Sequence, residues 1–103
     1  MGWADYHIQK LIDGQEVSFR PKGNSMQPKI ESGDLVTVSP SLGELKEGDI
    51  VLCKVKGNQY VHLIKAVKTE GNDKLYLIGN NKGGTNGWVG VAAIYGRVIR
   101  IEA

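Results

Sequence analysis

Only one cysteine, Cys53, occurs in this chain. An internal disulfide is therefore excluded, and the composition points to a reducing, cytoplasmic setting. Histidine is nearly as scarce, with His7 and His62 alone, and Cys53 has no cysteine partner, so no metal or other cofactor is expected. No apolar run approaches the roughly 20 residues of a membrane span. The polar start Met1-Gly2-Trp3-Ala4-Asp5-Tyr6-His7 lacks the apolar core of a signal peptide, so neither leader nor anchor is expected. Charge of one sign is also sparse. Thirteen basic against eleven acidic residues leave a net +2, scattered from Lys10 to Arg100, too diffuse a field to argue for a nucleic-acid partner. Prolines number three whereas glycines number fourteen, which implies many turns and many short strands. With 103 residues, 41% of them hydrophobic, the chain can build one core and reads as a single domain, 1–103.

Along the chain, Trp3, Tyr6/His7 and Leu11 fall at helical spacing and Gly14 ends the pattern. A short amphipathic helix is expected over 3–13. One such helix is too little for a DNA-reading helix-turn-helix, which needs two. The stretch 15–20 alternates, with Val17 and Phe19 on one face, and reads as a first strand; 35–38 reads as a second. In the strand 50–55, Val51, Cys53 and Val55 share a face, so Cys53 is expected to be a packed core thiol. Gly57-Asn58 signals a hairpin turn, with 60–67 as the returning strand and 74–78 as the next. The glycine- and asparagine-rich stretch 79–87 reads as a loop, and 88–95 leads through Gly96 to a last strand at 97–101. The expected fold is mostly β: one short N-terminal helix and six or seven strands in a partly closed sheet.

The residues that can carry chemistry begin at Gly23-Asn24-Ser25-Met26, followed by Gly33-Asp34-Leu35-Val36. A glycine permits a tight turn, a serine is lifted onto the rim of a sheet, and a methionine plugs into the core. Gly48-Asp49 repeats the second element ahead of the strand 50–55. A serine hydroxyl is a poor nucleophile unless a base takes its proton. The candidate base is His62, in Tyr60-Val61-His62-Leu63-Ile64. Lys65 is the rival, but it lies an odd number of positions from His62 and on a regular strand faces the other way.

Gly-x-Ser-Met with the two Gly-Asp turns resembles the serine-peptidase superfamily of LexA-type repressors and type I signal peptidases, over roughly residues 17–101. The resemblance implies that Ser25 is the nucleophile. The run 60–64 is similar to the Val-His-Arg-Ile run of eukaryotic-type signal peptidases, where histidine replaces the lysine base of the LexA branch. Those peptidases orient the base with aspartates in runs resembling Gly-Asp-Asn-Asn and then Asn-Asp. Here both positions are asparagine, so Asn80 and Asn86 are the candidates to orient His62. An amide carbonyl can hold a histidine N–H but supplies no negative charge. The backbone N–H groups of Asn24 and Ser25 are the implied oxyanion donors, and Gly23, Met26 and Asn81 the implied lining of a substrate cleft. Arg20, Lys22 and Lys29 flank the serine loop, either as solvated charges or as contacts for an acidic ligand. Two functions remain open: a serine peptidase with a Ser25–His62 dyad, or an inactive binding module that holds a peptide or small polar ligand in the same cleft. The expected partner is a peptide or protein substrate or ligand, or under the second function a small polar ligand; no nucleic-acid partner is expected.

Overall fold

The computed structural model describes residues 2–103. After the helix α1 (Asp5–Ile12) come seven strands: β1 (Val17–Phe19), β2 (Leu35–Ser39), β3 (Ile50–Val55), β4 (Asn58–Glu70), β5 (Asp73–Gly79), β6 (Thr85–Val89) and β7 (Ile94–Glu102). They form one antiparallel sheet in the order β1-β2-β7-β3-β4-β5-β6. The sheet is mostly β as expected but is not closed by hydrogen bonds, since β1 and β6 remain edges. It curls instead. β6 returns over β3, so that a Cβ built on Gly87 would lie 3.4 Å from a Val55 methyl.

The central strands are buried on both faces, which is why their sequence reads as continuous apolar runs. Leu52 packs with Ile8, Leu11, Val36, Val38 and Leu63 on the side that α1 covers. Val51, Cys53 and Val55 pack with Ile64, Tyr76 and Ile78 on the other side. Cys53 is fully buried there, and burial pushes its thiol up to about 12, leaving it a packing group rather than a nucleophile. The helix sits close because Gly96 on β7 has no side chain. A Cβ there would meet Val38 Cγ1 at 2.5 Å, the Ser39 carbonyl at 2.8 Å and Leu11 Cδ1 at 3.1 Å.

The two Gly-Asp sequences make the same turn twice. In Glu31-Ser32-Gly33-Asp34 the Asp34 N–H donates to the Glu31 carbonyl (3.0 Å) and its carboxylate accepts from the Glu31 N–H (2.8 Å). In Lys46-Glu47-Gly48-Asp49 the corresponding distances are 3.1 and 3.0 Å. Gly33 and Gly48 have φ of 93° and 97°, the third position of a turn that glycine alone adopts without strain. Each turn ends where a strand begins, β2 and β3.

Three sequence expectations shift. The β3–β4 hairpin turns at Lys56-Gly57, not Gly57-Asn58, because Asn58 is already paired with Val55. Residues 85–89, read as loop and lead-in, form the edge strand β6. Its Asn-Gly composition hides it, while Thr85, Gly87, Trp88 and Val89 pair with β5. The last strand starts at Ile94, after a short 3₁₀ turn at Val91–Ala93.

Candidate active site

The loop carrying Ser25 is pinned from below and from the side. Met26 and Ile30 are each 4% exposed and belong to the core beneath α1. From the side, Asn81 donates its backbone N–H to the Ser25 carbonyl (2.9 Å) and its carboxamide to the Gln27 carbonyl (2.9 Å). Gly23, with φ of 97°, lets the chain turn into the loop. Ser25 itself is exposed. Among the described residues, none accepts a hydrogen bond from the backbone N–H of Asn24 or Ser25.

His62 reaches Ser25 from β4. Its register partner is Val51, and it is 7% exposed. Ser25 Oγ and His62 Nε2 lie 3.1 Å apart, and His62 Nδ1 lies 2.7 Å from Asn86 Oδ1. The carboxamide oxygen only accepts, so Nδ1 carries the ring proton and the Nε2 lone pair faces the serine hydroxyl. Two effects oppose each other at the ring. Burial lowers the His62 pKa below the ordinary histidine value, and the Asn86 hydrogen bond raises it; burial dominates. Tyr60, two positions earlier on the same face, stacks on the imidazole at 4.7 Å between centroids and 20° between planes. Sequence reading missed this contact, although the i, i+2 spacing on a strand carries it.

Asn86 arrives by a bulge. Gly87 pairs with Ile78 and Thr85 with Gly79, so Asn86 is the extra residue between them. A bulge re-aims the side chain of its unpaired residue, here toward His62. Gly87 has φ of 141°, which the bulge requires and which favours glycine.

Asn80 does not reach the histidine. Its carboxamide oxygen accepts from the N–H groups of Lys82 and Gly84, both at 2.8 Å, and so closes the loop on itself. Asn81 braces the serine loop rather than lining a cleft. Lys65 is also bulged, between the pairs Ile64–Ile78 and Ala66–Leu77, and its ammonium donates to the Asn80 carbonyl at 2.9 Å. Gly23 and Met26 do line a groove of about 520 Å³ that opens beside Ser25 and His62. Its other walls, Trp3 and His7 from the N-terminal segment and Phe19 from β1, are absent from the sequence-based site because nothing in their spacing relates them to Ser25. Among the described residues no group of three or more His, Cys, Asp or Glu is placed to hold a metal ion. No helix among them is long and apolar enough to cross a membrane.

The antiparallel sheet sets the Ser25 loop against a histidine on β4. The family model described as Peptidase S24-like matches residues 6–99, and the chain belongs to that family. No curated protein and no solved structure matches the chain significantly.

Proposed function

We propose that the protein is a serine peptidase in which Ser25 is the nucleophile and His62 the general base. One observation carries this reading: the continuous chain Ser25 Oγ, His62 Nε2, His62 Nδ1, Asn86 Oδ1, with links of 3.1 and 2.7 Å. As Ser25 Oγ bonds to a peptide carbonyl carbon, its proton passes to Nε2. The carbonyl oxygen gains negative charge beside the Asn24 and Ser25 N–H groups. Collapse of the tetrahedral species breaks the C–N bond, and the proton on Nε2 goes to the leaving amine. Water, deprotonated by the same histidine, then attacks the acyl-serine and restores Ser25. Asn86 holds the tautomer that makes Nε2 a base.

The second reading, a peptide-binding module without turnover, is favoured by one feature. Asn86 is neutral where a carboxylate would stabilise the imidazolium. Labelling by a fluorophosphonate separates the two. Under the peptidase reading the wild-type protein forms a stoichiometric adduct at Ser25, while Ser25→Ala and His62→Ala form none at the same reagent concentration. A folded wild-type protein that remains unlabelled at neutral pH, while binding peptides, overturns the catalytic reading.

A further inference from the structure

The groove beside Ser25 and His62 is built for more than a small side chain. Trp3 and Phe19 meet edge to face at 5.6 Å, and His7 stacks on Phe19 at 4.4 Å. Tyr60, Met26 and Ile30 line the same groove. The aromatic wall is fixed in place by Gln59 at the start of β4. The Gln59 carbonyl accepts the Trp3 indole N–H (3.3 Å), its carboxamide oxygen accepts the Ala4 N–H (2.8 Å), and its carboxamide nitrogen donates to Asp5 (2.6 Å). Preformed walls of this kind spare a ligand the cost of ordering them. Trp3 nevertheless remains 52% exposed. A methyl group would leave most of 520 Å³ to water, whereas a phenyl or long aliphatic side chain would cover the indole and the Phe19 ring.

The rim adds charge of one sign. Arg20 and Lys22 also line the groove. Among the described residues neither has a carboxylate within ion-pair distance, the salt bridges being Lys68–Glu70 and Arg100–Glu102. Arg20 donates one guanidinium N–H to the Gly33 carbonyl at 2.5 Å, which steadies it and leaves its other donors free. Asp5 does not line the groove and is already engaged by Gln59 and the Gly2 N–H.

We infer that the groove selects an extended peptide with a large apolar or aromatic residue next to an acidic one, the ring against Trp3 and Phe19 and the carboxylate on Arg20 and Lys22. The inference rests on the reading of the Ser25–His62 cleft as a peptide site. Burying a Phe-sized side chain corresponds to about tenfold or more in affinity, and pairing one carboxylate with the exposed Arg20 and Lys22 to about twofold to fivefold.

The test uses Ser25→Ala protein in a Trp88→Phe background, so that Trp3 is the fluorophore. It is titrated with blocked hexapeptides containing Phe-Asp or Asp-Phe, and with analogues carrying Ala for Phe or Lys for Asp. The expected result is binding about tenfold or more tighter for the better parent than for its Ala analogue, and about twofold to fivefold or more tighter than for its Lys analogue, with a change in Trp3 emission. Lys22→Glu, an exposed substitution with no internal partner to lose, is expected to abolish or reverse the preference for Asp over Lys. An Ala analogue that binds as well as its parent overturns the inference, as does a charge preference indifferent to Lys22→Glu. Fluorophosphonate labelling of otherwise wild-type protein is scored separately. Labelling without peptide selectivity leaves the catalytic reading standing and removes this one; selectivity without labelling does the reverse.

Discussion

Asn86 is the residue on which the strength of the candidate base depends. It orients the ring but contributes no charge, so Asn86→Asp places a carboxylate at hydrogen-bond distance from Nδ1. The His62 pKa is then expected to rise, because an opposite charge favours the imidazolium. Ser25 labelling by a fluorophosphonate is expected to accelerate by roughly 10²–10³, a few kcal/mol of barrier. Asn80→Asp is expected to do neither, since that side chain faces the Lys82 and Gly84 N–H groups. Proton NMR of the imidazole with parallel labelling rates checks both variants; an equal response to the two would remove Asn86 from its role. For the unaltered protein, burial holds the His62 pKa below the ordinary value near 6.5. The neutral ring is the base, so the labelling rate should rise with pH through a limb below that value and be flat by pH 7.5. Lys65 is held by the Asn80 carbonyl, so Lys65→Ala should keep this profile. A limb that moves to alkaline pH, or vanishes in Lys65→Ala, would make lysine the base.

At the scale of elements, a hairpin turn and a bulge carry the testable geometry. Lys56 is the one non-glycine among the described residues with positive φ, 51°, in a two-residue hairpin with Gly57 at 86°. Asparagine tolerates that conformation better, so Lys56→Asn is expected to raise stability by about 0.5–1 kcal/mol, read as a higher urea midpoint with unchanged slope. Gly87→Ala works against the bulge. It forces a side chain into φ of 141° and brings a Cβ to 3.4 Å from Val55. The expectation is a stability loss of about 1–2 kcal/mol together with slower Ser25 labelling, because Asn86 loses its aim. Labelling at the wild-type rate in folded Gly87→Ala would show that the bulge does not position Asn86.

The whole molecule carries a pH dependence through its two histidines. Burial lowers the pKa of both, with Lys10 adding to the effect at His7 and Asn86 opposing it at His62. Between the folded and unfolded values the unfolded chain binds more protons. The contribution to stability is therefore complete above about pH 6.5 and is lost as pH falls through the folded pKa values. Urea midpoints measured from pH 7.5 to 5, above the carboxylate range, should fall for the wild type and stay flatter for His7→Gln/His62→Gln. Equal slopes would mean that neither ring is penalised by burial.

The sequence by itself determined the elements whose causes are local. Gly33-Asp34 and Gly48-Asp49 make their turns from their own backbone and carboxylate, the apolar runs of β2 and β3 declare buried strands, and Gly23-Asn24-Ser25-Met26 announces a serine on a loop with a core anchor. His62 was legible as a candidate because it stands in a short run, Tyr60-Val61-His62-Leu63-Ile64, that follows the hairpin signal; the bulge at Lys65 in the same strand was not. Tertiary structure alone decided what depends on distant segments meeting. Asn80 and Asn86 are chemically identical in the sequence; only the pairing of β6 with β5, and the extra residue it forces out, sends Asn86 to the ring and leaves Asn80 closing its own loop. Asn81 became a brace for Ser25 only because that same loop packs against residues 25–27. The groove was invisible for the same reason. Trp3, Phe19 and Tyr60 come from three separate segments, and no local period relates residues that share only a cavity.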